Sequence, residues 1–209
     1  MGMNASQTTE DKYRFDLFLS YRSETVTSHW INEVLLPLLS RHYMGEAGKQ
    51  LRVHNYAVTM SQGGEWPLEL KRNLAHSRCL LSLWCAGYFR SPWCVLEHTI
   101  MRRREDLAGY RNPAQTNGLI LPIVVSDGTS FPSQVASIQA LDIKKLVYTS
   151  ASAFTGAAKY LELEDVIRDW MPNAIRAINT APDWKSDWLT AEPLFEFDAP
   201  HFDTWNPGI

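Results

Sequence analysis

The sequence predicts an α/β fold in which a five-stranded parallel sheet is covered by helices on both faces. Two observations carry this. Short, nearly continuous apolar runs have the look of strands buried on both sides, and they alternate with longer stretches of helical period over roughly 165 residues. A third is size, since 209 residues suffice for one domain and an appendage but not for two full domains.

The elements follow in order. Phe15 to Tyr21 (FDLFLSY) is an apolar run bounded by charge and reads as the first strand. From Ser23 to Tyr43 the period changes, with Val26, Trp30, Ile31, Val34, Leu35, Leu38 and Leu39 on one helical face, Gly45 beyond the end and Pro37 expected to kink the helix. Leu51 to Tyr56 is a weaker second strand, and the glycine pair in Thr59–Trp66 marks a loop. Pro67 suits the first position of a helix reaching about Ser77. Arg78 to Trp84 (RCLLSLW) is a third strand, after which Ser91-Pro92 supplies an N-cap and first helical residue for a helix to about Leu107. Leu119 to Val125 (LILPIVV) is the clearest parallel-type strand. A short helix near Pro132–Ile138, a strand near Lys145–Thr149 and an amphipathic helix carrying Leu163, Val166, Ile167, Trp170, Ile175 and Ile178 complete the domain.

Five strands suit a flavodoxin-like three-layer winding in the order 2-1-3-4-5. Ligands there bind at the carboxyl ends of the strands where the winding reverses, between strands one and three. That places Ser20, Tyr21 and Arg22 beside the loop and helix that follow Trp84.

Composition excludes several functions. The formal charge of −3 is uneven, with −5 on residues 180–209 and +2 on the rest. The basic run Arg102-Arg103-Arg104, read as a solvated helix face, is too short for a nucleic-acid surface. Cys79, Cys85 and Cys94 are odd in number and lie in apolar surroundings without zinc spacing, which indicates a reducing compartment and no metal. No apolar run has the length of a membrane span and the first fourteen residues are not signal-like, so a cytoplasmic protein without membrane contact is expected. The start Met1-Gly2-Met3-Asn4-Ala5-Ser6 fits the short myristoylation pattern. No phosphate-loop or dinucleotide glycine fingerprint occurs.

The most unusual residue is Glu97. In Ser91-Pro92-Trp93-Cys94-Val95-Leu96-Glu97-His98, Trp93 and Glu97 share a helix face, and the other neighbours are Cys94, Ile100 and Met101. None is cationic, so desolvation should raise the carboxyl pKa. The plainer alternative, that Glu97 turns into water or pairs with an arginine of another element, stands beside this. His98 points about 100° away on the helix and is no candidate base.

Phe15-Asp16-Leu17-Phe18-Leu19-Ser20-Tyr21-Arg22 resembles the first box of the TIR family. Gly63, Trp66, Ser77-Arg78, Ser82, Tyr88 and Ser91-Pro92-Trp93-Cys94-Val95-Leu96-Glu97 follow that family's motif order, and the resemblance spans about residues 13–178. It implies the flavodoxin-like fold, and one of two functions. Many TIR domains cleave the nicotinamide–ribose bond of NAD, using a Glu at the position of Glu97 with an aromatic residue at that of Trp93, and act in immunity or cell death. Others are adaptors that only assemble. On the first reading NAD+ is substrate and no cofactor is needed. Trp93 offers a flat face to a ring or is a core aromatic; Arg22 contacts diphosphate or ribose or is a surface arginine; Ser20 and Tyr21 close the pocket or merely end the strand. The loop of Met60, Ser61, Gly63, Gly64 and Trp66 resembles the one TIR domains use to cover the site and to contact neighbouring subunits, and is otherwise a flexible connection. A homo-oligomer is expected. Many members carry an acid at the end of strand two, where this chain has Asn55-Tyr56.

The expected organisation is a flexible stretch at 1–12, a TIR domain at 13–179 and an acidic, aromatic extension at 180–209. Pro182, Pro193, Pro200 and Pro207 interrupt helices there, while Trp184, Trp188, Phe195, Phe197, Phe202 and Trp205 recur among acids. A disordered tail is poor in aromatics. The extension is therefore expected to dock on its own domain, on a partner chain or on a downstream effector.

Overall fold

The computed structural model describes residues 12–22, 28–55, 66–126, 131–147 and 158–189. The N-terminal myristoylation pattern, the loop 56–65 and the extension beyond Leu189 lie outside them.

Five strands, β1 (Phe15–Ser20), β2 (Val53–Asn55), β3 (Ser77–Trp84), β4 (Ile120–Val124) and β5 (Leu141–Asp142), form one parallel sheet in the order β2-β1-β3-β4-β5. This is the winding the alternating pattern predicts. Leu17, Phe18 and Leu19 of β1 and Cys79 to Leu83 of β3 are buried, as apolar runs covered on both faces must be. Edge strand β2 is entered through a pair between the buried Asp16 and the exposed Arg52: Asp16 accepts from Arg52 N at 3.0 Å, Nε at 3.1 Å and Nη2 at 2.8 Å.

Helix α1 covers 28–47, with α-helical turns at Ser28–Trp30 and Leu36–Ala47 around a π turn at Ile31–Leu35. The physical cause of that turn is Pro37, which has no N–H to return to Glu33, so the ladder widens and Leu36 N bonds Ile31 O instead. The helix runs past Gly45 and stops at Gly48, whose φ of 66° only glycine adopts without strain. Helices α2 (Trp66–Ala75) and α3 (Pro92–Leu107) pack together on one face, and α1 packs against α4 (Ala158–Asn179) on the other.

Three expectations are corrected. The fifth strand is Leu141–Asp142 rather than 145–149, because Ile143 and Leu146 are buried three residues apart across a turn, not in strand alternation. The helix expected at 132–138 is a single 3-10 turn, Ser133–Val135. The basic run is not wholly solvated either: Arg104 is 2% exposed. Seven residues beyond Glu97, it lies on the same helix face, turned to the interior. Its guanidinium donates to Ser77 O at 2.7 Å, Leu74 O at 3.0 Å and Ala75 O at 3.4 Å, satisfying carbonyls at the end of α2. Beside it the buried Glu105 binds Arg102 and Arg111 and accepts Ile120 N at 2.9 Å, fixing the start of β4.

The first part of the extension docks at the amino ends of β1 and β3. Trp184 stacks on His76 with centroids 5.1 Å apart and donates to Ala75 O at 3.1 Å. Trp188 is buried under the Arg104 guanidinium, 4.4 Å from its ring centre, and lies beside Tyr13. Tyr13 in turn donates to Pro182 O at 2.8 Å.

Trp188→Ala is expected to lower unfolding stability in urea by about 2–4 kcal/mol, through lost burial and the lost cation–π contact. Combined with Arg104→Ala, the loss should fall short of the sum of the two single losses, because the residues share one contact.

Candidate active site

Helix α3 opens with Ser91 in an extended conformation, its Oγ accepting Cys94 N at 3.4 Å, and with Pro92 as the first helical residue. One turn further in, this geometry directs Glu97 inward, and it is only 6% exposed. The parallel register of β1 and β3 sets Ser20 beside Ser82 at the carboxyl ends of both strands. Tyr88, in the 3-10 turn Tyr88–Arg90 that follows β3, reaches back so that its OH lies 2.9 Å from Ser20 Oγ. The Ser20 hydroxyl and the Cys94 thiol both lie close to the Glu97 carboxyl. Ser82 Oγ lies beside the phenol without a well-formed bond to it.

The result is a carboxyl surrounded by two hydroxyls and a thiol. Burial pushes Glu97 up to about 8, opposed only by the Ser20 hydroxyl. Burial also raises Cys94 and Tyr88, so both stay neutral near pH 7. His98 turns instead onto Trp84 and Phe89, and burial followed by the charges of Arg111 and Arg102 lowers it to about 3. Phe131 from the loop after β4 closes this aromatic group against Trp84 and Phe89.

The sequence candidates are distributed as follows. Ser20 and Glu97 meet. Arg22 reaches across from the end of β1 and its Nη1 donates to Gly87 O at 3.3 Å, tying the loop after β3 to β1. Tyr21 and Trp93 are half-buried against the core. Trp66 begins α2, while Met60, Ser61, Gly63 and Gly64 lie outside the described residues. Asn55, standing where an acid was expected, donates to Asn32 Oδ1 at 3.1 Å, an uncharged bond in a buried position. Cys94 is a neighbour of Glu97 that helical spacing indicated, and Tyr88 is one that spacing did not single out. The available signal was a polar residue in each of two apolar strands, Ser20 closing β1 and Ser82 inside β3. Among the described residues no group of acids, histidines and cysteines could hold a metal ion, and no helix is long and apolar enough to cross a membrane. All three cysteines are buried and free.

A protein-family model described as TIR domain matches residues 18–156 of this chain. The chain belongs to the TIR domain family. Among solved structures, the TIR domain of the Toll-related receptor TRR-2 from Hydra magnipapillata is 14% identical, covers 79% of this chain and 99% of its own, and has a TM-score of 0.50. At that identity the likeness is one of fold. The TIR domains of the activated Roq1 resistosome, which directly recognises the pathogen effector XopQ, cover 79% of this chain and 84% of theirs at 19% identity and a TM-score of 0.36. No curated protein matches.

Stability should depend on pH in two limbs. Native Glu97 keeps its proton up to about 8 while the unfolded carboxyl loses it near 4.5, so this group removes a few kcal/mol as pH rises between those values. His54, lowered by burial to about 4, and His98 remove stability as pH falls below 6.5. Urea unfolding of Glu97→Gln across pH 5–9 should show the alkaline limb flattened and the acid limb intact.

Proposed function

We propose that this TIR domain cleaves the nicotinamide–ribose bond of NAD+ and works in immune or anti-phage defence signalling, by depleting NAD or by making an ADP-ribose-derived signal. The supporting observation is Glu97, a buried carboxyl with no cation among the groups that shift its pKa, next to the carboxyl ends of β1 and β3. A structural carboxylate at such depth is normally paired, as Asp16 and Glu105 are here. One left without a cation is suited to meet a cation that arrives with the substrate.

The chemistry requires little more than this. Glycoside cleavage usually needs a second carboxyl to protonate a poor leaving group. Nicotinamide in NAD+ is a cationic pyridinium and departs neutral, so no general acid is needed. The Glu97 anion then stabilises the oxocarbenium-like charge, orients the ribose hydroxyls or traps the sugar covalently. Trp93 offers an aromatic face to a ring of the substrate, and Arg22, once released from Gly87 O, a charged donor to the diphosphate. Capture by water gives ADP-ribose; capture by a nucleophile of the same molecule gives a cyclic product.

A second reading, a non-catalytic adaptor acting through TIR–TIR association, is favoured by the covering of Glu97: Tyr88 is fully buried against Ser20 and the loop behind it is tied by Arg22. The two readings share a requirement for self-association, with the site opening in a cytoplasmic homo-oligomer.

Nicotinamide release from NAD+ at high protein concentration separates them. Glu97→Ala and Glu97→Gln are expected to lower release by more than about a hundredfold, and kcat/KM for the wild type should rise about tenfold per pH unit up to about 8 as the carboxyl ionises. No release under assembling conditions, or equal release from all three proteins, leaves the adaptor.

A further inference from the structure

We propose that the docked part of the extension is a remote positioning element for Glu97: Trp188 clamps Arg104, and Arg104 locks helix α3 along β3. The functional half of the proposal rests on the NAD-cleaving reading; the mechanical half does not.

Helix α3 packs on β3 and is fastened to the sheet at two places. At its start, Ser91 N donates to Tyr88 O at 3.1 Å, and the Tyr88 phenol lies 2.9 Å from Ser20 Oγ at the end of β1. Toward its far end, Arg104 Nη1 donates at 2.7 Å to the carbonyl of Ser77, the first residue of β3, while Nη2 donates to Leu74 O and Ala75 O at the close of α2. Glu97 lies between the two fastenings, about 10 Å along the helix axis from Arg104. A helix held at one end can slide or tilt about that end. Held at both, its axial position against the strand is fixed, and with it the depth at which Glu97 enters the site.

The extension completes the second fastening. An arginine side chain loses much rotamer freedom when it is ordered, and the three carbonyls engage only the edge of its guanidinium. Trp188 covers the face, 4.4 Å from its ring centre, and by excluding water strengthens the bonds at the edge. Trp188 is itself held in place. Its ring centre is 5.8 Å from that of Tyr13, whose hydroxyl donates to Pro182 O, and four residues earlier Trp184 donates to Ala75 O, a carbonyl that Arg104 also reaches. Tyr110, three residues past the end of α3, donates to Thr180 O and anchors the first residue of the extension. The extension therefore acts on the site from the opposite end of the sheet, through Arg104 and the rigid helix that carries Glu97.

The three buried, free cysteines serve as site-resolved reporters in the full chain, read by mass spectrometry after timed thiol labelling under native conditions. Cys94 lies on α3 three residues before Glu97, Cys79 lies on β3 two residues past Ser77, and Cys85 follows the last residue of β3. Trp188→Ala should speed labelling of Cys94 about tenfold or more relative to Cys85, and Trp188→Phe, which keeps an aromatic face, should restore most of the protection. Arg104→Lys, with one donating nitrogen in place of two, should act in the direction of Trp188→Ala and replaces it if that variant does not fold. In nicotinamide release, either variant should lower kcat about tenfold with KM changed less than about twofold, since a displaced carboxyl loses the transition state more than the ground state. Cys94 labelled at the wild-type rate, acceleration confined to Cys79, equal acceleration of all three cysteines, or an unchanged kcat would each overturn the proposal. Cys94 exposed as expected in a protein whose wild type releases no nicotinamide would leave the lock on α3 standing and remove the NAD-cleaving reading alone.

Discussion

Helix α3 buries a carboxyl near one end and a guanidinium near the other, and much of the molecule is arranged around the difference between them. Arg104 is held at both terminal nitrogens: three carbonyls accept from them and the indole of Trp188 lies against the guanidinium face. Among the described residues, no cation is among the groups that shift Glu97. A buried ion with partners stabilises its surroundings, and one without them raises the energy of the fold unless it takes up a proton. The amino ends of β1 and β3 are therefore the secured end of the sheet. The carboxyl ends carry the group that gains most from a new neighbour.

This asymmetry runs through the chain in three dimensions. Arg104 ties α3 to the end of α2, and Trp184 and Trp188 close the same junction from the far end of the sequence. At the opposite end, among the described residues, the Ser20–Tyr88 pair and a bond from Arg22 to Gly87 O lie near Glu97.

Much of the fold was legible because burial on both faces leaves a continuous apolar signature. FDLFLSY, RCLLSLW and LILPIVV each produced a strand within a residue or two of expectation. The signal failed where it is physically weakest. The fifth strand has two residues, too few for any period to show. The π turn depends on a missing N–H at Pro37, a feature of hydrogen bonding that hydrophobic pattern does not record. In the basic run, Arg104 shares its charge with Arg102 and Arg103, and composition cannot tell which of three arginines the helix turns inward.

For the site, sequence alone determined the residue types and their order: an uncompensated glutamate four residues after a tryptophan, a serine and an arginine closing the first strand, and an extension rich in aromatics. Chemistry at that level is a matter of side-chain identity, which the sequence states outright. Tertiary structure decided the environment. Only the β1–β3 register sets Ser20 beside Ser82, and only the return of Tyr88 over Ser20 brings a phenol to the end of the sheet where Glu97 lies. A pKa near 8 belongs to no residue by itself. It arises from water excluded by groups that lie 77 and 9 positions away in the chain but in contact in space, and exclusion of water depends on the packed whole.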